Sequence, residues 1–569
     1  MEIQSVQISG YRNYHKATIK FNKSTLIIGG NDSGKTNLIS AIRLLLDKTL
    51  PELELEPLPS DFHFDENGKQ ANKICIDIFF TGIVEDAVLS VLKGNVSDEG
   101  ECLLRYVADK ADLSYALYCG SSADLLNEVN SRFYLKYLNL RYVKSKRDLD
   151  RFIALEKKQL LKISQEELEA GDAVEDRKQL KLIERDLNKL NEKVRSLNYV
   201  KYATAAVNEE LLKLSYDLSS YTVHLDSGAI ETQQFIDNLK LGAATSGSKV
   251  SLGGDGRNNQ ILLALWKAKS EREFDPDSEV VFYCVEEPEA HLHPHQQRKL
   301  ADYLINELPG QVLITTHSPQ IAARFSPESI VNIKVKKGRS VAASGGCSKC
   351  VSAAWEDFGY RMSILPAEAF FAKSVLLVEG PSEQLFYHKL ATALDLDLDF
   401  FNISILSVDG ISFKVYAKIL DAMEIPWTVR TDNDVSDIKV NKVPQRRLDG
   451  LNRSLRLAGK PSLPHMKAGT SQRDLITSGL WANISKITNA KGVFISKIDL
   501  ENDLADEMPS EIKAYAKKKT VAEAVSFLQA KKAIRMRAYL KEYSSALKNI
   551  GEGDLARPLL YCVAEAMDA

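Results

Sequence analysis

Carboxylates gather in three short stretches of this 569-residue chain. Glu379 follows the apolar run 375–378, with Glu383 four residues on. Asp432 and Asp434 flank Asn433 after the run WTVRT, and Asp499, Glu501 and Asp503 alternate in KIDLEND. Like charges at this density repel unless cations sit among them. A helix opening between Glu379 and Glu383 would let both reach one ion. Alternation at a strand end turns Asp432 and Asp434 to the same side. Any one cluster could be a solvated turn; three at strand ends form the donor set that two hard cations, Mg²⁺ or Mn²⁺, need for phosphodiester hydrolysis.

A second set of residues is built for phosphate. Gly29, Gly30, Asn31, Asp32, Ser33, Gly34, Lys35 and Thr36 fit GxxxxGK[ST] between the strand-like TLIIG and the helix-like NLISAIRLLLD. Such a loop wraps phosphates with backbone N–H groups at a helix N-terminus, Lys35 reaching the β/γ oxygens and Thr36 the Mg²⁺ of bound ATP. The apolar run VVFYCV delivers Glu286, which would reach Mg²⁺ through water, and Glu287, which would orient or deprotonate the attacking water. QVLITT ends in His317, placed to sense a γ-phosphate. The loop at 251–257, with Gly254 and Gly256, precedes the apolar helix NQILLALWKA and offers further donors, or is a plain turn.

These residues need particular elements. Leu38, Ile42, Leu45 and Leu46 mark one face of a helix after the phosphate loop. The opening 3–30 reads as two strand-like segments, IQSVQISGYRNYHKATIKF and STLIIGG. Segment 139–214 is charged with a narrow apolar stripe, which predicts a helical hairpin or dimerisation arm, or else a solvated spacer. A helix opens at Pro294. From Lys373 strands and helices alternate, with helices over 383–394 and 413–423, predicting a second parallel sheet; the stretch from Glu511 onward reads as helix. Arg446, Arg447, Arg453, Arg456 and Lys460, just after the second acidic cluster, would grip backbone phosphates or line a charged surface helix.

Composition bounds the rest. With 74 Lys plus Arg against 77 Asp plus Glu the net charge is −3, so any basic surface is local. Hydrophobic residues at 44% and charged residues at 27% exclude a disordered tail or a fibre. No apolar run spans a membrane and no leader is visible, which predicts a cytoplasmic protein. The seven Cys do not suggest a disulfide framework; Cys347 and Cys350 supply two ligands where zinc needs four, so a loop is expected there. His291, His293 and His295 could line a metal site but read better as an interface loop.

The order of phosphate loop, helical insert, Gly-rich signature, Glu286–Glu287 strand and His317 resembles the ABC-type ATPase heads of chromosome-maintenance and recombination-repair proteins. The resemblance covers roughly 1–140 and 235–330. It implies a dimer, because the signature loop of such heads acts on the partner's nucleotide. The chain departs from them in carrying Glu286 where Asp is commoner, and Gln260 does not lie where a switch glutamine would, which weakens the case for hydrolysis relative to binding.

The EG…DxD order resembles Toprim domains, and a head followed by Toprim on one chain is the architecture of the overcoming-lysogenization-defect (OLD) nucleases. LLVEGPSE, RTDND, LDGLNRSL and KIDLENDL are similar to the nuclease branch found in Gabija antiphage systems. The resemblance implies an α/β chain: an ABC-type ATPase head (1–140 and 235–345) with a helical dimerisation insert (141–234), then a C-terminal Toprim nuclease domain (365–569). It implies metal ligation by Glu379, Glu383, Asp432, Asp434, Asp499 and Glu501, with Glu379 central to catalysis, and a catalytic lysine at Lys532, or failing that Lys531. The implied activity is Mg²⁺-dependent cleavage of double-stranded DNA, regulated by or coupled to ATP, in antiphage defence. Implied partners are a second copy, with pairing of dimers into a homotetramer left open, and a helicase-like protein. The competing expectation is a DNA-organising ATPase whose Toprim fold only binds nucleic acid.

Overall fold

A computed structural model describes residues 1–144, 149–214, 279–290, 292–346, 367–408 and 413–568, with short pieces between 236 and 272. The chain divides into two compact units. One comprises Met1–Val143, Asp277–Glu289 and Pro294–Ala569; the other comprises Lys144–Pro276 and Ala290–His293.

The first unit begins with two sheets that share a core. Strands Glu2–Tyr11 and Tyr14–Lys20 form an antiparallel hairpin, so the opening holds three strands up to Gly29 rather than two. The turn falls at Arg12 and Asn13, with Arg12 at φ 48°. This hairpin joins Lys73–Thr81, Cys102–Asp109, Tyr115–Gly120 and Leu126–Val129 in an antiparallel sheet. The second sheet runs Arg339–Ala342, Ile330–Lys336, Ser24–Gly29, Gln311–Thr315, Val280–Glu286, Leu138–Val143, parallel except for its edge hairpin. Parallel strands covered on both faces read as unbroken apolar runs, and Val280–Glu286 is buried throughout. Helix Lys35–Leu46 packs Leu38, Ile42, Leu45 and Leu46 into the same cluster as Ile76, Leu104, Phe282 and Leu313 from the two sheets.

Leu138–Val143 corrects the expected start of the charged insert: residues 139–143 are a strand paired in register with Val280–Glu286. Beyond it, the second unit holds helices Leu149–Glu166, Ala170–Ser196 and Asn198–Leu214. Among the described residues no helix is long and apolar enough to cross a membrane.

The C-terminal part of the first unit is a parallel sheet ordered Ile403–Ser407, Ser374–Val378, Trp427–Thr431, Val493–Ile495. Helix Pro381–Ala393 and the terminal helices bury Leu376, Phe386, Leu500, Leu528 and Leu559 in one cluster against it. Helices Asp449–Leu457 and Leu480–Asn489 contribute Leu451, Leu455 and Ile484 to another. The Arg-rich stretch is not one helix: Ser436–Val440 and Val443–Arg447 form a hairpin before helix Asp449–Leu457.

Candidate active site and nucleotide loop

Each acidic cluster sits at the carboxyl end of one strand of the C-terminal sheet, where open parallel sheets place their ligands. Glu379 follows Ser374–Val378, Asp432 follows Trp427–Thr431, and Asp499 lies four residues beyond Val493–Ile495. These strands are neighbours, so residues far apart in sequence become adjacent. Glu383 enters from the first turn of helix Pro381–Ala393, and Glu501 from the first turn of Leu500–Glu507. Asp499 caps that second helix by accepting from Asn502 N at 2.9 Å, and its other oxygen accepts from Gln529 Nε2 at 2.6 Å.

Burial makes these charges costly. Asp432 lies well above the ordinary carboxylate range, pushed by desolvation and then by Glu379 and Glu383. Burial likewise raises Glu383, against the pull of Lys532. Glu501 is 1% exposed, neither of its carboxylate oxygens has a hydrogen-bond partner, and burial pushes it to about 7. Lys532 opens helix Lys532–Tyr543 with Nζ 3.9 Å from Asp432 Oδ2. Partial burial works against its charge, but Glu501, Asp432, Glu383 and Asp499 outweigh that and raise its pKa.

Three of the clustered acids are held by arginines. Glu379 Oε1 accepts from Thr431 Oγ1 at 2.6 Å, Asp432 N at 2.8 Å and Arg453 Nη2 at 2.5 Å. The same Nη2 lies 2.9 Å from Asp434 Oδ2. Asp503, the third acid of KIDLEND, instead pairs with the buried Arg430 at 2.6 Å. Arg446 pairs with Asp437 and Arg447 with Asp449. Of the expected phosphate grips, therefore, Arg453 serves the acidic cluster and Arg446 and Arg447 are tied locally; Arg456 and Lys460 are exposed.

Among the described residues no three of the acids and histidines converge closely enough to hold an ion. The donor set still fits a hard divalent cation: the groups are all oxygen, they lie on adjacent strand ends, and Glu501 presents two buried, unsatisfied oxygens. Such an ion would be held by Glu379, Glu383, Asp432, Asp434, Asp499 and Glu501.

The nucleotide loop is the second constellation. Gly34, at φ 109°, begins helix Lys35–Leu46, and a Cβ there would come within 2.8 Å of Ser340 Oγ. Lys35 donates to Gly29 O at 3.0 Å and Gly30 O at 2.8 Å, folding back over the loop. Burial lowers its pKa, against Glu287, Asp32, Glu286 and Glu289. Asn31 and Thr36 are exposed at the loop mouth. Glu286 is buried and accepts from Tyr142 OH at 2.8 Å, while Glu287 takes φ 44° just beyond the strand, with Oε1 3.6 Å from His317 Nε2. Burial and Lys35 lower the His317 pKa against Glu287.

Sequence reasoning missed Glu289. One of its oxygens accepts from Thr316 Oγ1 and His317 N, both at 2.7 Å, fastening the His317 turn to the Glu286–Glu287 turn. The signal was a third acid two residues after the pair. The signature loop with Gly254 and Gly256, Gln260, His291, and Cys347 and Cys350 lie outside the described residues.

The AAA ATPase domain model matches residues 1–222 and 139–322, together more than half of the chain. The chain belongs to that family. Residues 370–434 match the TOPRIM domain of overcoming-lysogenization-defect-like proteins, so an ATPase domain and an OLD-type TOPRIM domain share one polypeptide. Among curated relatives, "Endonuclease GajA" of Bacillus cereus (strain VD045) is 25% identical over 565 residues, covering 94% of both chains. "OLD nuclease" of Thermus scotoductus (strain ATCC 700910 / SA-01) is 23% identical over 76% of this chain and 82% of its own. A solved Smc head bound to the C-winged helix domain of ScpA overlaps 60% of this chain and 97% of its own, at 16% identity and TM-score 0.39.

Proposed function

We propose that the chain is a divalent-metal-dependent DNA endonuclease regulated by ATP binding at its head. The observation that carries this reading is the placement of Glu379, Asp432 and Asp499 after three adjacent parallel strands, with Glu383 and Glu501 in the first turns of the helices that follow and Lys532 beside Asp432. The near full-length relation to an endonuclease, and a relation to an OLD nuclease over 76% of this chain, support it.

The bound Mg²⁺ or Mn²⁺ ions would supply an activated water and neutralise charge on the scissile phosphate. Burial and neighbouring acids make the charged forms of Asp432, Glu383 and Glu501 costly, a cost that a bound cation would relieve. Lys532, kept protonated by its four acidic neighbours, stabilises the leaving oxygen without giving up a proton to them. No covalent intermediate on the protein is needed. At the head, Lys35 and the N–H groups of the Gly34 turn would bind the phosphates, Thr36 and, through water, Glu286 would hold the nucleotide's Mg²⁺, Glu287 would orient or deprotonate the attacking water, and His317 would sense the γ-phosphate. The chain works as a homodimer in antiphage defence, where a helicase-like protein accompanies it.

Supercoiled-plasmid cleavage with Mg²⁺ or Mn²⁺, with and without ATP, tests this reading. Wild type should cut, Glu379→Ala should lose at least ~100-fold of the rate, and Lys35→Ala should lose the response to ATP. Undiminished cutting by Glu379→Ala overturns the nuclease site. Absence of cutting by wild type with either ion favours a DNA-organising ATPase instead.

A further inference from the structure

Arg453 occupies the place where a cation would be expected. Its Nη2 spans Glu379 Oε1 at 2.5 Å and Asp434 Oδ2 at 2.9 Å, and reaches Asp432 O at 3.0 Å. Its Nε donates to Thr431 Oγ1 at 2.7 Å, beside the same carboxylate. One guanidinium thus satisfies oxygens on two of the strand ends that carry the acids.

The placement is fixed by the backbone. Helix Asp449–Leu457 docks through Gly450, whose N donates to Asp434 O at 2.9 Å. A Cβ on Gly450 would fall 2.4 Å from Asp432 O and 2.7 Å from Asn433 Cα, so only glycine allows the helix so close. Arg453 is one turn further along that helix, which aims its side chain back over the acidic turn. Three groups hold Glu379 Oε1, so removing the arginine leaves Thr431 Oγ1 and Asp432 N still bonded to it.

We propose that Arg453 is a resident cation that competes with a divalent ion for Glu379 and Asp434, setting the ion concentration at which the site fills. This deepens the proposed metal-dependent reading and rests on it. A guanidinium and a metal cannot share Glu379 Oε1, so ion binding there requires the arginine to let go. Lys532 is the natural contrast: it lies near Asp432, 3.9 Å away, without bridging two acids. A general field effect would treat the two cations alike, whereas direct occupancy singles out Arg453.

The test is Mn²⁺ binding to the full-length chain, followed by loss of the free-ion EPR signal and without turnover. Arg453→Gln should bind Mn²⁺ about tenfold more tightly than wild type, the size expected when a charge-assisted bond no longer has to break. Lys532→Gln should gain clearly less. Equal gains in both variants, or no gain in Arg453→Gln, overturn the proposal. If Arg453→Gln fails to fold by circular dichroism, Arg453→Lys, which keeps the charge but loses the planar fork, should still bind more tightly than wild type, and unchanged affinity overturns the proposal. Failure of the underlying reading looks different: wild type and Arg453→Gln would both bind no Mn²⁺, or Glu379→Gln would bind as well as wild type.

Discussion

The head and the TOPRIM module both set carboxylates at the carboxyl ends of parallel strands, yet they balance the charge differently. At the head, Lys35 turns onto the carbonyls of Gly29 and Gly30, and the neighbouring acids are engaged from outside the loop: Glu286 by Tyr142, Glu289 by Thr316 and His317 N. In the TOPRIM module the acids follow adjacent strand ends, burial raises Asp432, Glu383 and Glu501, and Arg453 bridges only two of the strand ends. The difference follows from the ligands. A nucleotide arrives with its own metal and negative charge, so its loop must offer donors and a cation. A bare metal ion arrives positive, so its site must hold repelling acceptors ready, at a cost to the fold until the ion is bound.

The sharpest way to break this contrast is Asp432→Asn. The substitution removes an acid raised by burial and by both Glu379 and Glu383, and should lower cleavage by ~1000-fold, as loss of a group that engages the reacting centre does. It should also raise the melting temperature in EDTA, because one source of repulsion is gone. Plasmid cleavage and thermal unfolding on the same preparation measure both. A lower melting temperature in EDTA would mean that the cluster is not strained when empty.

Next in size is Lys35→Ala. Losing a charge-assisted contact to the β/γ phosphates should weaken ATP binding ~100-fold in equilibrium titration. Because Lys35 is folded onto backbone carbonyls rather than onto an acid, stability without nucleotide should shift by about 1 kcal/mol or less, the opposite balance from Asp432→Asn.

Much of this contrast was legible in the sequence. Apolar runs ending in Glu379, Asp432 and Glu286 announced buried parallel strands with chemistry at their tips, because a strand covered on both faces has no other composition available. What stayed hidden depended on pairing across long separations. Residues 139–143 resemble the charged insert that follows them, and only their register with Val280–Glu286 makes them a strand. Arg446 and Arg447 read as phosphate grips or part of a charged surface helix with Arg453 and Arg456, but the turn at Asn441 and Lys442, both at positive φ, folds them into a hairpin. Asp503 continued the alternation of Asp499 and Glu501, yet it lies on a helix and meets Arg430 from a neighbouring strand. Periodicity shows which face a residue takes, not which distant charge waits there.

A third prediction concerns pH. Burial holds Glu501 at about 7 in the folded chain, above the ordinary glutamate value of 4.5. A carboxyl raised on folding contributes stability that is complete below 4.5 and is lost as pH rises through about 7. A shift of that size corresponds to ~3 kcal/mol between pH 4 and 8. Metal binding requires the ionised form, so the rise in melting temperature on adding Mg²⁺ should grow from pH 6 to pH 8. Glu501→Gln should flatten that growth, and a rise equally steep in wild type and variant would remove Glu501 from the ion's surroundings.

The smallest expected effect tests whether the two regions communicate. Strand Ile330–Lys336 pairs with the phosphate-loop strand, and the next strand places Ser340 Oγ on Ser33 O at 2.5 Å. The same hairpin holds the turn that leads into the Asp432 strand. Asn332 Nδ2 donates to Met423 O at 3.2 Å, Ser344 N to Glu424 Oε1 at 2.9 Å, and Lys336 pairs with the other Glu424 oxygen. Glu424 thus binds the head hairpin through one carboxylate oxygen and the turn just after it through the other, three residues before Trp427 begins the strand to Asp432. Glu424→Gln should cost about 1 kcal/mol in stability and weaken the response of cleavage to ATP by ~2- to 5-fold, the range typical of coupling residues that touch neither ligand. Cleavage rates with and without ATP give the ratio directly. An unchanged ratio at reduced stability would leave Glu424 as a mere fastener and shift the coupling to contacts made by the nucleotide itself, since an element that both sites bias must alter the ratio when its hold is loosened.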